Sequence, residues 1–439
     1  MTSEVDTDVE TNKDVNTEMN VGKDNLTDSE SNSHVDDSVE KLDEYDLVVV
    51  GAGIQGAGIA QAAAINGIKT LVLEQYEAPA MGTSSKSSKL IHGGLRYLET
   101  LSFSLVRECL VERKRLLDNA PHLVQTNRFY IPVYETSKRS WPVIYLGLWL
   151  YAWLAGDFLG KKIGKLSKSR WSELSALKKD GLLAVLYYED AQTDDKLLTE
   201  AVMKSYQDLK GEVQYSQKVS RVHSDKQGFI IETRLNQSDI DESVEAGLKV
   251  RAKNIINATG PWVNELASVF DPKPKTMDVD LVQGTHIIID RKVSQYCFYG
   301  ESPDDGRAVF VLPWKDVSMV GTTEKLLTDG ADSIGATLGE VEYLRHVVNY
   351  YFPEQNVLEE NISGVFAGSR VLPVSQEDAN KRSRETTVLR SSNSPGYFAV
   401  YGGKLTAYRA TAEKVVAMLI NERFPNKIGS IKNTRDLSL

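Results

Sequence analysis

Residues 45–60 read YDLVVVGAGIQGAGIA. Leu47 to Val50 run without a polar break into three glycines spaced G-x-G-x-x-G. A short apolar run of this kind predicts a fully buried strand. The segment that follows, Gly56 to Asn66, is small and alanine-rich, and predicts a helix packed closely on a sheet. Residues 68–75, IKTLVLEQ, predict a second strand ending in an acid. The unit is therefore β-α-β. Gly51 allows the tight turn, Gly53 lets backbone approach a pyrophosphate, and Gly56 allows close helix–strand packing. The helix N-terminus then faces the diphosphate with the positive end of its dipole. Glu74 lies 18 residues after Gly56, where a carboxylate meets ribose hydroxyls. Strand, turn, helix and acid together predict a bound dinucleotide. An acid at this position disfavours a 2′-phosphate, and so disfavours NADP.

The 439 residues suffice for a sizeable core and for two or three structural units. The formal net charge is −10, unevenly placed. Residues 1–44 carry 14 Asp/Glu and 3 Lys; the remainder has 48 Lys/Arg against 47 Asp/Glu. The body is thus near neutral, without the basic signature of a nucleic-acid binder. Residues 1–44 have too few apolar groups to offset chain ordering and are expected to be a disordered acidic tail. They contain neither the apolar core of a secretory signal nor the arginines of a transit peptide. The two cysteines, Cys109 and Cys297, are far apart and no Cys/His cluster occurs, so no metal site is predicted. These features fit a reducing, cytoplasmic setting.

Other glycine turns recur far downstream. NATG at 257–260 ends a predicted strand; YGGKLTAY at 401–408 joins a strand to a helix, with Thr406 near the helix N-terminus. A helix dipole there could stabilise negative charge on a reduced flavin. Three separated glycine-rich strand ends meeting in one crevice fit a large, extended cofactor such as FAD better than NAD. Residues 143–155 form an apolar run too short to span a bilayer. We read it as a core helix of the substrate domain. The alternative is a helix lying at a membrane interface, with Trp141, Trp149 and Trp153 beside Lys161 and Lys162.

Taken together, YDLVVVGAGIQGAGIA, GTSSKSSKLIHGGLRYLE, YEDAQTDDKLL, NATGPWV, PWKDVSMVGTTE and YGGKLTAYR span most of the chain from about 45 to 415. In these motifs the chain resembles the FAD-dependent glycerol-3-phosphate dehydrogenases, within the D-amino-acid-oxidase-like flavoproteins. The resemblance implies an α/β (α+β overall) fold, with a Rossmann-like FAD-binding domain interleaved with an antiparallel-sheet substrate domain. FAD parts are expected at 45–135, 191–265 and 356–425, substrate parts at 136–190 and 266–355, and a C-terminal tail at 426–439. The resemblance also implies oxidation of sn-glycerol 3-phosphate to dihydroxyacetone phosphate, a quinone acceptor and a peripheral membrane location. Family members usually continue into a helical C-terminal domain, whereas this sequence stops at Leu439. Self-association stays open.

Site residues follow from the same motifs. Arg96 and Tyr97 match the family's substrate-contacting pair. His286, Arg370, Arg384 and Lys404 match positions around the substrate. His286 is the first candidate base and His92 the second, because a histidine titrates near working pH; Arg370 is the second catalytic candidate. A phosphate monoester carries about two negative charges and suits several fixed cations. The cofactor wall is expected to take in Thr83, Ser84, Ser85, Ser88, Lys89, Leu90, His92, Gly93 and Gly94. Val219, Ala258, Gly260, Trp262, Gly403, Lys404, Leu405 and Thr406 are expected there too. Ser87 to Gly94 should lie along the flavin, with Arg96 and Tyr97 reaching past it to the phosphate. Two alternatives stand beside the quinone-linked enzyme: an oxidase passing electrons to oxygen, and a non-catalytic flavin-binding homologue.

Overall fold

Leu47–Val50 is a strand, and each of its four side chains is buried. Leu47 and Val49 pack into a cluster with three helices, whereas Val48 and Val50 pack toward a second sheet. Successive side chains point to opposite faces of a strand. Burial on both faces is what makes the run apolar without a break. The structure is a computed structural model and describes residues 42–157, 159–174, 176–236, 247–374 and 385–439. Its longer helices are α1 (Ile54–Ile65), α2 (Phe103–Asn119), α3 (Trp141–Leu154), α4 (Asp195–Asp208), α5 (Val263–Ser268), α6 (Leu338–Tyr351) and α7 (Tyr408–Arg423).

The Leu47–Val50 strand is near the middle of a six-stranded sheet. Its neighbours are Ile255–Asn257 on one side and Thr70–Leu73 on the other, both parallel to it. Tyr397–Tyr401 extends the parallel order, and Thr387–Arg390 closes that edge antiparallel. Glu212–Gln214 forms the opposite edge. Helices α1, α4 and α7 cover one face. A five-stranded sheet, built around the meander Gln217–Asp225 and Gly228–Leu235, packs on the other. The three glycine-rich turns foreseen in the sequence leave neighbouring strands of this one sheet. Gly51 follows the central strand at φ +103°, and a Cβ there would lie 2.8 Å from the Ala258 carbonyl oxygen. Both facts demand glycine.

A ten-stranded sheet forms the second half. Its pairs are antiparallel except where Cys297–Glu301 runs parallel to Val124–Tyr134. Helix α6 packs on one face, and α2 and α3 on the other. Val279–Ile289, next to one edge, pairs with Val317–Gly321 and with Ile362–Pro373.

The α/β architecture with a parallel cofactor sheet and a largely antiparallel second sheet agrees with the reading of the sequence. The seams between the halves fall elsewhere. Leu90–Ile91, Val124–Tyr134 and Ile362–Pro373 were assigned to FAD parts, yet all three are strands of the ten-stranded sheet. Their local sequence carries no label for which sheet will receive them. Residues 1–41 of the acidic tail lie outside the described residues, but Asp43–Tyr45 is an edge strand parallel to Lys249–Ala252. The segment 426–439, largely exposed, is anchored to the body: Thr434 is buried, and the Asn119 side chain donates to the Arg435 carbonyl at 2.6 Å. Helix α3 is only partly a core helix. Leu148, Tyr151 and Ala152 are buried, while Val143, Leu146, Trp149 and Trp153 are exposed. No described helix is long and apolar enough to cross a membrane.

Candidate active site

A cavity of about 640 Å³ runs along the junction of the two large sheets. One end is lined by Glu74, Tyr76, Val219 and Arg234, the other by His286, Arg370, Arg96 and Lys404. At the first end, the Glu74 carboxylate accepts from the Ala52 backbone N–H at 2.6 Å and from that of Tyr76 at 3.0 Å. Burial pushes its carboxyl above the ordinary range, against those backbone hydrogen bonds. A carboxylate has about four acceptor positions, so Glu74 keeps capacity for a ligand hydroxyl. Gly53 and Ser84 meet at the start of α1, where the Ile54 N–H donates to Ser84 Oγ at 2.9 Å. A Cβ on Gly53 would fall 2.9 Å from that oxygen and fill the cradle. Gln55 donates to the Lys404 carbonyl at 3.2 Å, and its buried Oε1 has no hydrogen-bond partner among the described residues. Ala258, Gly260 and Trp262 close the middle of the cavity opposite this turn, and Thr83 lines it too.

Ser87 to Gly94 forms one long wall. The stretch is anchored by Asp195, the first residue of α4, which is fully buried. Its carboxylate accepts from the Ser87 N–H at 2.9 Å and from Ser87 Oγ at 2.6 Å, and it pairs with the Lys89 ammonium. Lys89 also donates to the Ser85 carbonyl at 2.8 Å. Ser88, one residue from both anchors, makes a 2.8 Å hydrogen bond with His286 Nε2. Farther along, the His92 N–H donates to Thr406 Oγ1 at 3.1 Å, tying this wall to the GGKLT turn. The Gly93 N–H donates to the hydroxyl of Tyr151 on α3 at 2.7 Å.

The far end is built on the ten-stranded sheet. His286 pairs with Phe366 in the ladder, and Gly284 with Gly368. Arg370 lies two residues beyond Gly368, on the same face. The glycine pair leaves a bare patch between histidine and arginine; a Cβ on Gly284 would come 2.5 Å from Arg370 Nη2. Arg370 is held by Glu324 at 2.9 Å and by the Thr323 carbonyl at 3.3 Å. Glu324 also takes a 2.5 Å ion pair from Arg307. Arg96 and Tyr97 stand on a single 3₁₀ turn, Leu95–Leu98, and the Lys404 ammonium lies 5.4 Å from the Tyr97 ring centroid. The His286 ring stacks on Phe366 at 4.9 Å. Burial, with the nearby Arg370 and Lys89 cations, lowers its pKa to about 3, so the ring is neutral near pH 7.

Most of the residues singled out from the sequence therefore meet in one cavity, including Leu90, Gly403 and Leu405. Four stand behind its surface. Gly56 packs against the Gly51 carbonyl, Lys89 is committed to Asp195, and Ser85 offers its carbonyl to Lys89. Gly93 is buried against Tyr151 and Leu110. Arg384 lies outside the described residues. The sequence reading passed over Asp195, Glu324, Gln55 and Phe366. The doubled acid Asp194-Asp195 at a helix start and the paired G-x-H and G-x-R patterns at 284–286 and 368–370 were the available signals.

An elongated cavity with a glycine cradle at a helix N-terminus and an orphaned acceptor in its wall fits an extended cofactor with an anionic centre. Comparison with known proteins agrees. The profile of the FAD dependent oxidoreductases matches residues 46–413. An aerobic glycerol-3-phosphate dehydrogenase of Staphylococcus aureus is 33% identical over 404 residues, which cover 90% of this chain and 71% of that protein. The FAD-complexed structure of a glycerol-3-phosphate dehydrogenase from Bacillus halodurans superposes with a TM-score of 0.70 at 25% identity, covering 92% of this chain and 68% of that one. An L-alpha-glycerophosphate oxidase from Mycoplasma pneumoniae with FAD bound shares the fold, with a TM-score of 0.65 at 18% identity over 86% of this chain and 95% of its own.

Proposed function

The chain belongs to the FAD-dependent oxidoreductases, and from that premise we propose that it oxidises sn-glycerol 3-phosphate to dihydroxyacetone phosphate. The observation that carries this reading is the convergence of Arg96, Arg370 and Lys404 on the cavity end that also holds Ser88 and His286. Bound FAD supplies the two-electron acceptor for the hydrogen that leaves C2. The chain's own residues do the rest. Guanidinium groups suit bidentate capture of a phosphate, and Lys404 adds a point charge. Glu324 and Thr323 hold Arg370 so that little side-chain freedom is lost on binding. Tyr188 and Phe310 add apolar wall and exclude water. His286 is uncharged near pH 7, and its Nε2 lies 2.8 Å from Ser88 Oγ.

The names of the relatives support the substrate. We take a membrane quinone as the acceptor, because α3 presents a tryptophan-bearing apolar face to solvent. The decisive experiment is anaerobic. Addition of sn-glycerol 3-phosphate to the FAD-loaded chain should bleach the flavin band near roughly 450 nm. A flavin that stays oxidised, with FAD bound and substrate in excess, would end the assignment. Reoxidation by air compared with a soluble quinone then separates an oxidase from a dehydrogenase.

A further inference from the structure

We propose that Ser88 is a catalytic residue: its Oγ receives the proton of the substrate hydroxyl and hands its own proton to His286 Nε2. This rests on the reading of the cavity as a site for oxidising a phosphorylated secondary alcohol.

The argument starts from access. His286 is 3% exposed, and its Nδ1 is sealed from solvent with no hydrogen-bond partner among the described residues. The ring cannot swing to present Nδ1. Phe366 stacks on it with a 12° interplanar angle, and the Gly321 backbone presses its Cδ2–Nε2 edge so closely that a Cβ there would lie 2.1 Å from Cδ2. Nε2 is already bonded to Ser88 Oγ at 2.8 Å. Ser88 is half-buried and lines the cavity. His286 and Ser88 both line the cavity, but the serine hydroxyl occupies the ring's Nε2, so a substrate hydroxyl meets that nitrogen through Ser88 Oγ.

The serine is also held in place. Asp195 fixes the residue before it through two hydrogen bonds and the residue after it through an ion pair. The Lys89 N–H donates back to Ser87 Oγ at 3.1 Å. Asp195 touches neither cavity nor ring, so it is a positioning residue.

The step balances. The substrate O–H bond breaks as a new Ser88 Oγ–H bond forms; the original Ser88 O–H breaks as His286 Nε2–H forms. The C2 hydrogen leaves with its electron pair to the cofactor and C2 becomes a carbonyl. The charged groups facing the histidine are Lys89, compensated by Asp195, and Arg370, compensated in part by Glu324. In the substrate-free site both cations oppose a proton on the ring. A phosphate bound at Arg370 would offset that opposition when the transfer is required.

The test compares wild type, Ser88→Ala and Ser88→Thr as FAD-loaded proteins, mixed anaerobically with sn-glycerol 3-phosphate. Flavin content comes from absorbance, and the rate constant for bleaching is followed in H₂O/D₂O mixtures. The ring nitrogens of His286 are followed by ¹⁵N NMR. We expect Ser88→Ala to keep its FAD and to bleach about 100-fold more slowly, the usual scale for losing a proton-transfer group. We expect Ser88→Thr, which keeps the hydroxyl, to stay within about tenfold of wild type. The rate should depend on deuterium fraction with the curvature of two protons in flight in wild type and linearly in Ser88→Ala. The Nε2 resonance should move in Ser88→Ala and return in Ser88→Thr. Wild-type bleaching rates in Ser88→Ala would overturn the relay alone. Loss of FAD from Ser88→Ala would assign the serine to cofactor holding and overturn it too. A wild type that does not bleach would overturn the substrate reading, and the relay with it.

Discussion

A histidine in water titrates near pH 6.5 (roughly); at position 286 burial, Arg370 and Lys89 lower that value to about 3. The consequence for stability has a definite sign. Between the two values the unfolded chain binds a proton at this site that the folded chain does not, so stability rises with pH there. The contribution is complete above about pH 6.5 and drains away as pH falls toward 3. His286→Gln removes this proton uptake. Urea unfolding of the FAD-loaded protein at pH 7.5 and 4.5 should show wild type losing roughly 2–3 kcal/mol more than the variant across that interval. Equal losses would mean that the ring is hydrated or already charged in the fold. At this scale the sequence was a good guide to single residues and a poor one to their partners. His286, Arg370 and Lys404 could be picked out from their motifs. That Ser88 would meet a histidine 198 positions away, or that Glu324 would hold Arg370, depends on strand register. Register is set by packing across the whole sheet.

At the scale of elements, the wall Ser87–Gly94 has little regular structure of its own, only the two-residue strand Leu90–Ile91. Its shape is borrowed from α4 through Asp195. The pair it makes with Lys89 is buried on both sides, with side chains 10% and 0% exposed. Removing one member of such a pair leaves the other charge without compensation, at a cost of about 3–5 kcal/mol. Asp195→Asn should therefore destabilise the protein by an amount in that range. Lys89→Met added to it should recover part of the loss, because the stranded ammonium is gone. Urea unfolding of the two variants reads this directly; a single-variant cost under about 1 kcal/mol would place the pair in effective contact with water. The β-α-β unit was legible because its apolar run, glycines and small-residue helix all specify one local geometry. Of the second sheet, the strands from Val279–Ile289 to Lys325–Leu327 fall in the part read as substrate domain, whereas Leu90–Ile91, Val124–Tyr134 and Ile362–Pro373 do not. Their local sequence looks the same in either domain.

Across the whole molecule, charge and apolar exposure are sorted by place. The formal charge is −10 overall, yet residues 138–170 contain seven Lys/Arg and one Asp. Within that segment α3 turns Val143, Leu146, Trp149 and Trp153 outward, at 61%, 71%, 46% and 49% exposure. Their spacing of three to four residues puts them on one face. The reading of α3 as a core helix captured only its inner face, where Tyr151 bonds Asp190 and Gly93. The outer face, with Trp149 and Trp153, belongs to the alternative reading; composition alone does not choose between them, since a helix apolar all round fits a core as well as an interface. An apolar, tryptophan-bearing face beside a basic flank suits an anionic lipid surface. The protein should therefore sediment with vesicles containing phosphatidylglycerol and far less with phosphatidylcholine alone, and added salt should weaken the association. Half-burying two tryptophans contributes on the order of 2 kcal/mol, so Trp149→Ser with Trp153→Ser should lower the vesicle partition constant by roughly 10- to 30-fold. These side chains lie outside the cavity, so flavin reduction by substrate in solution should be unchanged in the double variant. If wild type and double variant pellet equally with anionic vesicles, the outer face of α3 is not the contact, and the proposal of a quinone acceptor loses the observation it rests on.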